Sequence, residues 1–387
     1  ATPSLEAYYR AGKGEYRMFQ LTRRLTGGEL PTVYTVDLRQ ELQEGNRSIF
    51  SRKLQELMAD RLNKGQQTIL FLNRRGYAGF VSCRSCGEVM KCPHCDVSLS
   101  EHKGGRLICH YCGYTQPMPK LCPKCGSKYI LGFKAGTQQI EEKLKELYPG
   151  VRTLRMDADT TRTKDSYEKI LSSFANGEAD VLIGTQMIVK GHDFPKVTLV
   201  GILAADLSLN ASDYRAGERT FQLLTQAVGR AGRGALPGEA VIQTYQPDHY
   251  AITCAAAQDY ENFYQEEILY RELSGYPPVA HMLAVQIYGK KEENAKQLAL
   301  RLTDVVKSNM DFLSGKQKEQ SNKKIQVLGP APANISKIND IYRYVFYVKH
   351  AEYDVLVEVK DRLEETLRQW QSRQMSIQFD FDPVSVL

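Results

Sequence analysis

No G-x-x-x-x-G-K-[ST] phosphate loop and no Asp-Glu dipeptide occur anywhere in the 387 residues. A chain without them has neither the backbone cradle for a triphosphate nor the acidic box for its magnesium. By itself it is expected not to turn over a nucleoside triphosphate. Also missing is any apolar run of about 18 residues, so no transmembrane helix is expected. The opening Ala1-Thr2-Pro3-Ser4-Leu5-Glu6 lacks the basic and apolar regions of a secretory signal, which points to a cytoplasmic protein. A strong charge of one sign is lacking as well. The 51 basic and 45 acidic residues leave +6, an excess that permits nucleic-acid binding without indicating it. With 42% hydrophobic and 25% charged residues the composition is that of folded protein, and the length suits two or three domains.

Cysteine is scarce over most of the chain and crowded in one part of it. Eight of the nine cysteines lie between Cys83 and Cys125, as the pairs Cys83/Cys86, Cys92/Cys95, Cys109/Cys112 and Cys122/Cys125. Two residues between thiolates let both sulfurs reach one ion from a tight turn, and zinc takes four such ligands in a tetrahedron. Four pairs therefore predict two zinc sites. Gly87, Pro93, Gly113, Pro123 and Gly126 supply turn chemistry at the knuckles. Spacing leaves the pairing open between nested and sequential arrangements. We favour the nested one, with Cys83, Cys86, Cys122 and Cys125 on one ion and Cys92, Cys95, Cys109 and Cys112 on the other. A redox dithiol is the rival chemistry, and a mixed site using His94, His102 or His110 is the rival ligand set. Eight thiolates already satisfy two ions, so the histidines are expected at the surface. Saturated sites leave no position for water, so the zinc is expected to be structural.

Around this block the pattern alternates between strand and helix. A helix is predicted from Ser51 with Leu54, Leu57, Met58 and Leu62 on one face, ended by Gly65; Thr68–Leu72 then reads as a buried strand. Thr137 is expected to cap a helix carrying Ile140, Leu144 and Leu147. Strands are predicted at 180–184, 197–203 and 240–245, with a helix over 220–231. This predicts one parallel α/β sheet interrupted by the cysteine block. Residues 1–47 read as a loose leading segment. From about Tyr276 the order becomes β-α-β-β-α-β, with a polar loop at 316–324, predicting a small α+β domain.

Two stretches look like the second RecA-like lobe of a superfamily 2 helicase. Gly184-Thr185-Gln186-Met187-Ile188-Val189-Lys190-Gly191-His192-Asp193-Phe194 follows a strand; Gln226-Ala227-Val228-Gly229-Arg230-Ala231-Gly232-Arg233-Gly234 ends a helix. Guanidinium groups match phosphate geometry and stay protonated, so Arg230 and Arg233 are candidate arginine fingers. Alone, the first stretch is equally an ordinary β-α turn, and the second reads better as helix C-terminal arginines offsetting the macrodipole; their order and spacing inside an α/β lobe favour the helicase.

Taken together, these motifs resemble the primosomal protein N′ (PriA) family of replication-restart helicases. The residues carrying the likeness are Ala1-Thr2-Pro3-Ser4, Phe71-Leu72-Asn73-Arg74-Arg75-Gly76-Tyr77 with four cysteine pairs directly after it, Gly136-Thr137-Gln138, the two stretches above, Gly275-Tyr276-Pro277-Pro278 and Leu328-Gly329-Pro330-Ala331-Pro332. The resemblance implies a RecA-like helicase lobe 2 with an inserted two-zinc ribbon and a C-terminal, ribosomal-protein-like α+β domain. It assigns 1–47 to the end of lobe 1 and the linker, 48–80 and 131–270 to lobe 2, 81–130 to the zinc insertion and 271–387 to the last domain. It implies that the other half of the motor lies outside this chain. It further implies an ATP- and Mg2+-dependent 3′→5′ DNA helicase that acts at stalled forks with single-strand DNA-binding protein and other primosome proteins. Gly191, Asp193 and Gln226 would face nucleotide, Arg230 and Arg233 the γ-phosphate, Thr185 and Lys190 the DNA, and the eight cysteines would hold zinc in the nested pairing. The competing reading is a non-enzymatic zinc-ribbon adaptor for nucleic acid or protein. In the C-terminal domain, Tyr342, Arg343, Tyr344, Tyr347 and Lys349 interleave aromatic and basic groups, which suits single-stranded DNA or, equally, cross-strand packing.

Overall fold

The computed structural model describes the chain except residues 1, 22–28, 73–80, 95–96, 103–104, 132–135, 158–159, 162–163, 190–192, 212, 309–323, 369–374 and 385–387. Six strands form a wholly parallel sheet: β1 (Thr32–Asp37), β2 (Gln67–Phe71), β3 (Thr153–Met156), β4 (Val181–Gly184), β5 (Val197–Ile202) and β6 (Glu239–Thr244), in the spatial order β1-β6-β5-β2-β4-β3. Its central strands are apolar on both faces because both faces are covered. Ile69, Phe71, Leu182, Val200 and Ile202 face one core; Leu70, Ile183, Leu199 and Val241 face the other. Helices α2 (Arg52–Asn63) and α3 (Thr137–Leu147) close the second core with Leu54, Leu57, Met58, Ile140 and Leu144. On the first core lie α1 (Leu5–Gly12), α4 (Lys164–Ala175), α5 (Ala216–Val228), α6 (Tyr250–Ala257) and α7 (Tyr260–Ser274). This is the covered parallel sheet that continuous apolar strands demand.

The leading segment is better ordered than the sequence suggested. Ser4 caps α1, Leu5 is fully buried in the sheet's core, and residues 32–37 form the edge strand of this lobe rather than a loose linker. Thr32–Asp37 was hard to see because it is an edge strand, only part-buried, with no alternation sharp enough to mark it. Strand β3 and helices α4, α6 and α7 were also absent from the sequence reading. For α4 the signal exists, since Tyr167, Ile170, Leu171 and Phe174 recur at helical spacing. Ser51 caps α2 as expected, and Gly65, at φ 64°, ends it. Thr137 is not the cap of α3: Gly136 takes that place, and the Thr137 hydroxyl turns instead to Asp157.

The last domain follows the predicted order, with β7 (His281–Gly289), α8 (Glu292–Ser308), β8 (Gln326–Ile338), β9 (Ile341–His350), α9 (Tyr353–Arg368) and β10 (Met375–Phe381). The polar loop expected at 316–324 lies outside the described residues except Lys324. Its antiparallel sheet, ordered β8-β9-β7-β10, packs Leu283, Val285, Ile287, Phe346 and Val348 against the two helices. The opposite face packs on the cysteine block, and burial on both faces, Tyr344 toward the helices and Tyr347 toward the block, decides between the two readings of the aromatic stretch. Tyr344 and Tyr347 are 8% and 1% exposed. Lys349 donates to the Ser274 carbonyl at 2.8 Å and lies 4.1 Å over the Tyr276 ring. These three are packing residues; Tyr342 and Arg343 are only partly buried.

One half-buried group makes the lobe acid-sensitive. His249 caps α6, its Nδ1 accepting the Ala251 N–H at 3.1 Å, an acceptor role only the neutral ring can fill. Burial, with nearby Lys91 adding to it, brings its pKa down to about 4. The depressed value means that the stability it supports is complete above the unfolded value near 6.5 and lost as pH falls toward 4, about 3 kcal/mol in all. His249→Asn keeps a capping acceptor. It should leave the melting temperature unchanged at pH 7.5 and flatten its fall between pH 6.5 and 4. An unaltered acid limb in a thermal-denaturation series would show that other groups govern it.

Candidate metal centres and arginine loop

The four cysteine pairs share one local design. In each, the first cysteine's N–H bonds to a carbonyl five residues on: Cys83 to Glu88 (2.7 Å), Cys92 to Val97 (2.8 Å), Cys109 to Tyr114 (2.8 Å) and Cys122 to Ser127 (2.8 Å). In three of them a glycine closes the turn at positive φ: Gly87 at 78°, Gly113 at 77° and Gly126 at 72°. Such turns aim both sulfurs of a pair to one side. Short antiparallel strands then bring pairs together: Ser82–Cys83 against Ile130–Leu131, and Ser100–His102, Arg106–Ile108 and Thr115–Pro117 as a three-stranded ribbon.

Two clusters result. Cys83, Cys86, Cys122 and Cys125 have their sulfurs within 4.8 Å of one another; so do Cys92, Cys109 and Cys112, while Cys95 lies outside the described residues. The outer pairs thus meet each other, as the nested arrangement requires. Sulfur separations are 3.6 Å for Cys83–Cys125 and Cys86–Cys122, and 3.5 Å for Cys92–Cys112. A zinc–sulfur bond of about 2.3 Å makes tetrahedron edges of about 3.8 Å, so the clusters have the right size for that ion. Burial pushes the Cys83 thiol up, but N–H groups of Cys86 and Ser85 outweigh it and bring it to about 7. Burial pushes Cys86 in the same cluster up to about 12. Four adjacent thiolates need a cation between them, which is what a bound metal supplies.

The histidines do not join the sulfurs among the described contacts. The Nε2 atoms of His102 and His110 lie 3.0 Å apart, and His110 Nδ1 lies 3.2 Å from the Pro332 carbonyl. His110 is 1% exposed, contrary to the expected surface position, because its knuckle is pressed against the last domain. The cysteine block therefore forms a joint more than an appendage. Val81, Met90, Leu99, Leu107 and Tyr111 share one apolar cluster with Tyr214 of the lobe and with Tyr276, Met282, Ala284, Val345 and Tyr347 beyond it. Gly87 touches the lobe so closely that a Cβ there would lie 2.5 Å from the Tyr245 carbonyl.

The second candidate site is built on the connection from β4 to β5, which leaves the sheet's carboxyl edge at Thr185 and reaches its amino edge before Val197, where the Gly232 N–H donates to the Val197 carbonyl at 3.0 Å. Thr185 follows β4 directly and is half-buried; residues 186–189 make one 3-10 turn; Lys190 and Gly191 lie outside the described residues. Asp193 emerges exposed, and Arg233 Nη1 stands 3.9 Å from its Oδ1. Arg233 Nε also donates to the Gly229 carbonyl at 2.9 Å, fixing the arginine across its own turn. Burial, with Arg233 beside it, holds the Arg230 pKa below its ordinary value, while Asp193 opposes this. Two crowded guanidiniums make an edge that favours an anion. Gln226 is exposed one turn earlier on α5. The loop is rigid by composition: a Cβ on Gly232 would lie 2.5 Å from Gly238 N, and one on Gly234 2.5 Å from the Pro195 carbonyl.

The sequence reading missed a polar node beside Thr185. Thr137 Oγ1 donates to Asp157 Oδ2 at 2.6 Å, Arg155 Nε lies 2.8 Å from the same oxygen, and Thr160 N–H donates to Oδ1 at 3.0 Å. Burial raises the Asp157 pKa, but the Thr137 and Thr160 bonds and Arg155 outweigh it and leave it below the usual carboxylate range. The polar run Asp157-Ala-Asp-Thr-Thr after a short strand was the available signal.

A parallel lobe with a glycine-locked arginine loop at its amino edge, interrupted by a cysteine ribbon, defines the C-terminal RecA-like lobe of a helicase. Comparison with known families agrees: residues 121–235 match the helicase conserved C-terminal domain, 92–117 the PriA DNA helicase Cys-rich region domain, and 272–384 the primosomal protein N C-terminal domain. The chain belongs to the PriA family, in the part of it that carries these C-terminal domains. It is 44% identical over 389 residues to the replication restart protein PriA of Bacillus subtilis, covering 100% of this chain and 47% of that protein. For the Synechocystis protein of the same name the identity is 40%, covering 100% and 46%; for that of Haemophilus influenzae it is 34%, covering 99% and 50%. The chain thus spans about half the length of the curated relatives it matches. The cysteine clusters and the Cys-rich match support zinc binding. No helix among the described residues is long and apolar enough to cross a membrane.

Proposed function

We propose that this chain is the C-terminal half of an ATP-dependent 3′→5′ DNA helicase that restarts replication at stalled forks, working in the bacterial cytoplasm with single-strand DNA-binding protein and other primosome proteins. The observation that carries the reading is the Arg230–Arg233–Asp193 edge on a chain with no phosphate loop of its own. Arg230 and Arg233 would stabilise charge on a γ-phosphate whose cradle and Mg2+ ligands belong to the other lobe. Gly191, Asp193 and Gln226 would line the same edge. Thr185 and Lys190 would lie on the DNA side, next to the Thr137–Asp157 node. All eight cysteines, Cys95 included, would hold two structural zinc ions. The segment ahead of β1 would lead in from the other lobe, with 81–130 as the zinc insertion and 271–387 as the last domain.

The test is restoration. This chain alone should show no ATP hydrolysis. Joined to the phosphate-loop half of a B. subtilis-type relative, it should hydrolyse ATP, faster with single-stranded DNA present. Hydrolysis by the purified chain alone, at a rate that follows it through purification, would overturn the proposal.

A further inference from the structure

We propose that Tyr111, set inside the inner cysteine pair, positions the arginine loop through a buried relay of Tyr214, Arg271 and Glu218. The relay thereby ties the metal-bearing knuckle to the nucleotide-facing edge, a consequence that rests on the function proposed above. The relay itself rests only on the contacts. Tyr111 lies between Cys109 and Cys112, is fully buried, and stacks on Tyr347 with ring centroids 5.0 Å apart. Its hydroxyl oxygen accepts the Tyr214 N–H at 3.2 Å, a bond spanning ribbon and lobe.

Tyr214 is clamped in turn. Its ring lies flat on Tyr276 at 4.6 Å with an interplanar angle of 8°, and the Arg271 guanidinium sits 4.7 Å from its centroid. Arg271 is 0% exposed. It donates to Glu267 Oε1 at 2.7 Å, to the Pro277 carbonyl at 2.8 Å and to Glu218 Oε2 at 3.2 Å. Both carboxylates are buried and share this cation, so a shift of Tyr214 disturbs charges that have no water to turn to. Glu218 also accepts the Leu5 N–H at 2.9 Å, which brings the leading segment into the same network.

Glu218 stands in the first turn of α5, and the arginine loop follows the last. A helix of 13 residues is about 20 Å long and moves as a rod. At its far end Gly232 and Gly234 are pressed against Gly238 and Pro195, so the loop has little freedom to adjust separately. Displacement at Glu218 is therefore passed on to Arg230 and Arg233 more readily than it is absorbed, as packed elements with discrete arrangements do.

Hydrogen exchange on the zinc-loaded chain tests this. Tyr111→Phe keeps the ring and its stacking but loses the hydroxyl acceptor; Arg271→Lys keeps the charge but not the fork of donors. Each should raise exchange of the amides of residues 229–234 by about threefold or more, with the double variant no worse than the stronger single one. Amides of Val197–Ile202 and the zinc content should not change. The relay is wrong if residues 229–234 exchange as in the parent, if exchange rises evenly through the sheet, or if the two effects multiply. In the restored two-lobe protein, Tyr111→Phe should lower kcat for ATP while leaving KM in place. A restored parent that does not hydrolyse ATP sinks the functional reading and leaves the exchange result to judge the relay.

Discussion

Replacing Arg230 and Arg233 together by alanine is expected to cut kcat for DNA-stimulated ATP hydrolysis by about a thousandfold in the restored two-lobe protein, the scale at which arginine fingers act. KM for ATP should rise far less. The argument is electrostatic and local. The two guanidiniums are held beside each other at the sheet's amino edge, Arg233 by the Gly229 carbonyl and Asp193. Their charge has most effect where phosphate charge develops in the transition state, and less in the ground state. The loop does not depend on those side chains for its shape, since its glycines pack backbone on backbone. The double variant should therefore fold, with an unchanged melting temperature, and the loss can be read as catalytic. Undiminished kcat in a folded double variant would remove the arginines from the nucleotide site.

Metal removal has the second large expected effect. Zinc binding to isolated fingers contributes about 10 kcal/mol or more of folding free energy. Stripping the metal should unfold residues 81–131. Because Leu107 and Tyr111 share a core with Met282, Ala284, Val345 and Tyr347, it should also uncover one face of the last domain's sheet. The parallel lobe has two cores of its own and should persist. Limited proteolysis with and without chelator measures this. New cuts are expected in the ribbon and near β7 and β9, with α2, β2 and β5 protected. If the last domain resists proteolysis as before, the ribbon is an appendage after all, and its shared core carries little weight.

Much of the site could be read in advance because its determinants are local. A Cys-x-x-Cys-Gly turn carries its own geometry, and the arginines stand three residues apart beside glycines that admit one backbone path. The central strands were legible because they are apolar on both faces. Strand β1 and the capping of α3 were not, since an edge strand owes its state to the neighbour it pairs with, and the Thr137 hydroxyl to an aspartate 20 positions away.

The sequence by itself determined the cysteine turns, the arginine loop, the covered parallel sheet and the order of the last domain. Each follows from spacing, chain conformation and apolar periodicity within a few turns of chain. Only the tertiary structure decided that His110 and Tyr111 are interior, that Tyr347 and Lys349 pack against the lobe and ribbon, and that Arg271 holds Glu218. Those facts depend on desolvation by partners more than 50 residues away, and no local pattern records which distant surface will exclude water from a given side chain.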